Sequence, residues 1–146
     1  MTELLWDEIA ERFGSAQNWW VSTAGDAGPH AVPVWGVHVA GGLHFYGEAS
    51  SVRSRNLAAD PRVVLHLESG SDVLVLHGTA PAGGPAHADD AVVAAYRAKY
   101  THPTDLQYLP DAEGMEGALL HTVVPARAVA WRFDGQGDGT VRRWRA

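Results

Sequence analysis

The chain of 146 residues contains no cysteine. That absence excludes a disulfide framework, a thiolate zinc site, an iron–sulfur cluster and a cysteine nucleophile, and it fits a reducing compartment such as the cytoplasm. Lysine is almost missing too. Lys99 is the one lysine among eleven basic residues, which face seventeen acidic ones for a net charge of −6. An acidic balance argues against a nucleic-acid partner, which calls for a basic face. Any anionic ligand would have to be met by a local group of arginines. No apolar run approaches the roughly 20 residues of a membrane span, so no membrane partner is expected. The opening residues Met1 to Glu8 are acidic and amphipathic, unlike a signal peptide. No Gly-x-Gly-x-x-Gly follows a strand, and neither a phosphate-binding P-loop nor a Gly-x-Ser-x-Gly elbow is present.

What remains is ordinary globular composition, with 46% hydrophobic and 19% charged residues. At about 100–200 residues per domain, residues 1–146 form one domain. Leu4, Leu5, Ile9 and Phe13 recur at helical spacing, which predicts a helix over 3–14 with Thr2 as cap and Gly14 as stop. Strands are expected over 18–23, 30–39 and 43–47, with a tight hairpin at Ala40-Gly41-Gly42-Leu43. Pro33 inside the second strand points to an edge or a bulge. Ser50-Ser51 start a short helix that Asp60-Pro61 stops. Further strands are expected over 62–68, 73–80, 118–124, 127–133 and 140–145, with a break at Pro125. Ala80 to Ala86 reads as a loop, residues 87–99 as a helix, and Gly135-x-Gly137-x-Gly139 as a hairpin turn. Seven or eight mostly hairpin-linked strands with three helices predict a mainly β (α+β) fold. The form expected is a small antiparallel, closed or partly closed barrel with peripheral helices. An open α+β sandwich is the alternative.

Two segments carry candidate chemistry. The first is the helix start at Ser50, Ser51, Arg53 and Arg55. Free N–H groups at a helix start suit phosphate, hydroxyls add donors, and guanidinium forks grip phosphate oxygens in pairs. The same residues also read as a capped, solvated surface helix. The second is Pro33, Val34 and Trp35, where a proline-interrupted strand frees main-chain groups and a tryptophan could cover a planar ring. A plain edge strand with a buried tryptophan satisfies that pattern as well. Trp19 and Trp20 point to opposite faces of one strand, so one of them must meet a helix, a ligand or a partner chain. Eight histidines include the cross-hairpin candidates His38 with His44 and His66 with His77, yet no metal site is expected without a third ligand. His30, His77 and Tyr46 have the chemistry to donate a proton, but no sequence feature supports one of them, and no catalytic residue is assigned.

Three stretches taken in order carry a family resemblance. They are Trp20 to Trp35, Leu43 to Val63 and Val73 to Ala80, followed by Tyr96-Arg97-Ala98-Lys99-Tyr100, Val124 to Trp131 and Arg143-Trp144-Arg145. The set resembles the pyridoxamine 5′-phosphate oxidase-like split β-barrels. It looks most like the small flavin- or deazaflavin-dependent oxidoreductases of actinobacteria. The resemblance implies an FMN-binding type of split barrel and a homodimer with cofactor sites at the subunit interface. It also implies a hydride-transfer activity on a small unsaturated or heteroaromatic substrate, using coenzyme F420, narrowly preferred, or FMN. On this sequence the phosphate would fall to Ser50, Ser51, Arg53 and Arg55, and the ring system to Pro33, Val34 and Trp35. Asn56 and Leu57 would fix the helix. Position 53, often lysine in such relatives, is arginine here, which keeps the charge and changes the geometry. A non-catalytic module that binds or carries a flavin, haem or similar flat ligand is the competing reading.

Overall fold

A computed structural model describes residues 3–133, 135 and 139–146. Thr2 and part of the Gly135–Gly139 turn lie outside the described residues.

The helix expected first is α1 (Trp6–Ser15), with Leu5 at its N-cap position. It runs through Gly14 and ends at Ala16, whose N–H donates to the Phe13 carbonyl. Ile9, Ala10 and Phe13 bury one stripe of it. Strand β1 (Trp19–Gly25) follows, then β2 (Gly28–Val34) and β3 (Gly36–Val39). The expected continuous strand 30–39 is thus two strands that part at Trp35. Ala40 and Gly41 both have positive φ, 49° and 81°, which is the geometry of a tight hairpin. That turn leads into β4 (Gly42–Glu48).

Helix α2 (Val52–Ala59) begins where the serines predict. Ser51 Oγ accepts from the Ser54 N–H at 3.1 Å, and Asp60 ends the helix. Strands β5 (Arg62–His66) and β6 (Asp72–Thr79) form the next hairpin. The loop expected at 80–86 contains a short strand, β7 (Ala82–Pro85), which pairs irregularly with β8 (Ala118–Thr122). Its pairing is made by main chain alone, on exposed Gly and Pro residues with no side-chain period to read. A 3₁₀ turn, 86–88, leads to α3 (Asp90–Lys99), capped by Asp89. A second 3₁₀ turn spans Pro103–Tyr108. Strand β9 (Val124–Arg132) runs through Pro125, so the chain breaks at Val123 and not at the proline. The reason is a bulge opposite His77 and Gly78, which removes the need for a ladder N–H at that position. β10 (Arg142–Arg145) closes the order.

The strands form two antiparallel sheets, neither closed on itself. One has the order β10-β9-β6-β5-β1-β2 and the other β3-β4-β8-β7. This is the split barrel that the family resemblance implies, with neither sheet closed as a single barrel would be. The main core fills the space beneath α1 with Phe13, Trp19, Phe45, Leu65, Leu74 and Leu76. A second core joins α3 to the smaller sheet through Val37, Val92, Tyr96, Tyr100 and Leu120. The tryptophan pair separates as alternation requires. Trp19 is fully buried against Phe13, and Trp20 lies half-buried on the other face, parallel to the His66 ring at 6.2 Å.

Candidate functional site

The end of β2 is the sheet's edge, since β2 pairs only with β1 among the described residues. Pro33 sits there opposite Trp20, where a missing N–H costs no ladder bond. Val34 is 7% exposed and belongs to the main core, so it presents chiefly main chain. Trp35 occupies the kink before β3. Its ring stacks on Tyr100 at 4.4 Å and 12°, and its carbonyl accepts from the Tyr96 hydroxyl at 2.9 Å. Gly36 must be glycine, because a Cβ there would lie 2.4 Å from the Trp19 ring.

These three residues form one wall of a cleft of about 390 Å³. Tyr46 of β4, Arg53 of α2, Tyr108 and Met115 complete it. Tyr46 donates its hydroxyl proton to the Tyr108 carbonyl, and burial pushes its pKa above the ordinary tyrosine range.

Arg53 is the second residue of α2, in its first turn, and its side chain passes over Gly47. Its Nη2 donates to the Tyr46 carbonyl at 3.2 Å. Its Nε is buried and has no hydrogen-bond partner, and no carboxylate pairs with the guanidinium among the described residues. Burial lowers its pKa from the ordinary value, yet arginine stays charged in proteins. A half-buried cation with one main-chain partner and an orphaned N–H is costly unless an anion meets it. The chemistry of this donor set therefore fits a phosphate.

The remaining sequence candidates are placed differently. Ser51 Oγ accepts the α2 cap bond, which leaves its hydroxyl proton free to donate, and Ser50 is exposed. Arg55 is exposed on the helix and does not line the cleft. Two residues apart on a helix point to different sides, so Arg53 and Arg55 diverge. Asn56 donates from Nδ2 to Thr23 Oγ1 at 3.0 Å and Leu57 enters the core, which ties α2 onto β1. Of the candidate proton donors, only Tyr46 lines this cleft. His77 lies in a wider cleft of about 780 Å³ on the outer face of the larger sheet, where its Nδ1 is 3.3 Å from Arg127 Nη2. His30 is half-buried, with an unpartnered Nδ1. Neither histidine pair is in direct register: His38 faces Leu43 across its hairpin, and His77 faces Val64. No group of three potential metal-ligating side chains forms among the described residues.

Tyr108 and Met115 of the cleft and the buried His121 escape the sequence reading. His121 on β8 is fully buried and stacks on Phe45 at 5.1 Å. Its Nδ1 is 2.8 Å from the Ala80 carbonyl, so the proton sits there, while the buried Nε2 has no partner. Burial first, and then the positive charge of Arg53, lower its pKa. No motif marks it; its position on an apolar strand is the one available signal.

The fold and cleft define a small split barrel with a cation-floored, aromatic-walled groove. The profile described as Pyridoxamine 5′-phosphate oxidase matches residues 5–132, and the chain belongs to that family. Among solved structures it is similar to a conserved hypothetical protein of Mycobacterium tuberculosis, with 24% identity, 88% of this chain and 85% of that chain covered, and a TM-score of 0.73. It is also similar to an F420 reductase, with 16% identity, coverage of 81% and 94%, and a TM-score of 0.62. A third is a heme binding protein from Mycobacterium smegmatis, with 19% identity, coverage of 99% and 60%, and a TM-score of 0.68. No curated protein matches the chain. At these identities the structural likenesses establish the fold. No helix of the described residues is long and apolar enough to cross a membrane.

Proposed function

We propose that this protein is a cytoplasmic, homodimeric oxidoreductase that uses coenzyme F420, or failing that FMN, to reduce or oxidise a small unsaturated or heteroaromatic substrate. The observation that carries the reading is Arg53, a half-buried cation with an orphaned Nε at the floor of an aromatic-walled cleft. A cofactor phosphate would supply the missing anion. The Ser50 and Ser51 hydroxyls at the start of α2 would extend that anion site at its exposed rim, while Arg55 points to another side of the helix. The ring system would lie along Pro33, Val34 and Trp35 at the open edge of β2. When bound, either cofactor supplies hydride chemistry, and the protein binds and orients it. The open edge of β2 and the half-buried outer row of Trp20, His66, Val75 and Val129 support a second copy packing on the larger sheet.

Binding is tested by titrating the protein with F420 and with FMN at low and high salt, followed by fluorescence. Micromolar, salt-sensitive binding of either supports the reading; binding of neither overturns it. A carrier role for haem is the second reading. Tyr108 and Met115 in the cleft favour it, because both residue types serve as axial haem ligands. A Soret band on adding haem, with no acceptor accelerating reoxidation of reduced F420 or FMN, would favour the carrier.

A further inference from the structure

Lys99, the one lysine of the chain, ends α3 in a place unusual for an amine. Its Nζ donates to the Gly36 carbonyl at 2.6 Å and sits 5.2 Å from the Tyr100 ring centre and 5.6 Å from that of Trp19. The side chain is half-buried, yet it lines an open cleft of about 410 Å³ between α1, β3 and α3, separate from the Arg53 cleft. Glu11 and Ser15 of α1 and His38 of β3 share that cleft. No carboxylate is paired with the ammonium among the described residues. The two rings and the carbonyl favour the ammonium, but the amine has no counter-ion and is partly withdrawn from water, and that withdrawal makes it easier to deprotonate than a solvated lysine. Burial brings its pKa from 10.5 down to about 8.

The same nitrogen belongs to a clamp on the Trp35–Gly36 kink. Tyr100 accepts from the Gly36 N–H at 3.0 Å and donates to the Gln17 carbonyl at 2.8 Å, Tyr96 holds the Trp35 carbonyl, and Lys99 holds that of Gly36. Three residues of α3 and its end thereby fix the wall of the other cleft.

We propose that Lys99 is an acyl-acceptor site, modified by small activated acyl groups such as thioesters, and that its acylation loosens the Trp35–Gly36 kink. In the step, the ammonium loses a proton to solvent and the neutral nitrogen attacks the thioester carbonyl. The N–C bond forms, the C–S bond breaks, and the nitrogen's second proton passes to the departing thiolate, which leaves as the thiol, with no change of oxidation state. The cleft beside Lys99 has room for an acetyl group. The product amide is neutral, so the attraction to both rings and the charged character of the bond to Gly36 are lost. The consequence for cofactor binding rests on the function proposed above, while the acyl-acceptor chemistry does not.

The test uses the full chain and acetyl-coenzyme A near neutral pH, with Lys99 acetylation followed by peptide mass spectrometry. Lys99 is expected to acetylate about tenfold faster or more in the folded protein than in the same chain unfolded in guanidinium chloride, because far more of the amine is neutral when folded. An equal or slower rate in the folded protein overturns the acceptor site. Hydrogen exchange then reads the clamp. The Gly36 amide should exchange about tenfold faster after acetylation of the folded protein and in Lys99→Gln, but not in Lys99→Arg. Amides of Leu74 and Leu76 in the larger sheet should not change. Unchanged exchange at Gly36 overturns the coupling. If the unmodified protein binds neither F420 nor FMN, the cofactor reading fails alone, and the rate and exchange measurements still decide the proposal about Lys99.

Discussion

Gly47 and Arg53 are fitted to each other: a Cβ at Gly47 would lie 2.2 Å from Arg53 Nη2. The guanidinium reaches the Tyr46 carbonyl only because β4 carries no side chain at that point. Gly47→Ala should therefore expel Arg53 from its seat and lower affinity for the phosphorylated cofactor nearly as much as removing the arginine. The strand itself has no positive φ at this position, so the fold should persist. Titration with F420 or FMN checks it, and wild-type affinity in Gly47→Ala would mean that Arg53 can bind from another rotamer.

Arg53 and Arg55 should separate in their effects. Arg53→Ala should cost about 1.5–3 kcal/mol of cofactor binding, the range for a charged hydrogen bond. That corresponds to roughly 10- to 150-fold in affinity. Arg55→Ala, with the side chain exposed, should cost under about 1 kcal/mol. Thermal stability of the Arg53→Ala apoprotein should hold or rise, since an unpaired, half-buried cation is removed. A fall in apoprotein stability with unchanged cofactor affinity would make Arg53 a structural residue.

The contrast between these two arginines shows how far the sequence could be read. The helix, its Ser51 cap and its Asp60 stop are local effects, visible in adjacent residues. The divergence of positions 53 and 55 follows from helical periodicity. The depth of Arg53 depends on Gly47 in the preceding strand, a contact no local pattern announces. The strand break falls at Val123 and not at Pro125 for a similar reason. The tolerance of the proline inside β9 comes from Gly78 on another strand, where a Cβ would lie 2.2 Å from the Val124 carbonyl. β7 pairs through main chain only, so its Gly-Gly-Pro run carries no alternation. His121 owes its burial to tertiary packing and carried no motif.

Tyr100 should prove a structural residue as well as a wall of the kink. Its hydroxyl accepts from the Gly36 N–H in a buried setting and donates to the Gln17 carbonyl in a partly buried one. Tyr100→Phe leaves the Gly36 donor without a partner, at a cost of about 1–3 kcal/mol. For a chain of this size that lowers Tm by roughly 2–10 °C. A denaturation curve checks it, and an unchanged Tm would show that water replaces the hydroxyl.

Glu8 and Arg142 tie α1 to β10 through two bonds of 2.7 Å each, a fork on both oxygens. Arg142 lowers the Glu8 pKa from its ordinary value near 4.5. A lowered carboxylate pKa adds stability that is complete above the ordinary value and is lost as pH falls through the folded one. Both side chains are about one-third exposed, so the pair contributes about 0.5–1 kcal/mol. Glu8→Gln should lose that amount at neutral pH and differ little from wild type in strong acid. Equal stability of the two proteins at pH 7 would show the fork to be neutral.

His121 should report on the Arg53 site without touching the ligand. Its pKa lies below the ordinary 6.5, through burial and then through the Arg53 charge. A base with a lowered pKa binds protons more readily when unfolded, so stability should fall as pH drops from about 6.5 toward the folded pKa. Neutralising Arg53 with a phosphate removes one of the two causes and should move the His121 pKa upward. NMR titration of the His121 ring, alone and with saturating FMN or F420, measures both effects. A free-state pKa at or above 6.5 would contradict the burial argument. No upward movement on cofactor binding would place the phosphate away from Arg53.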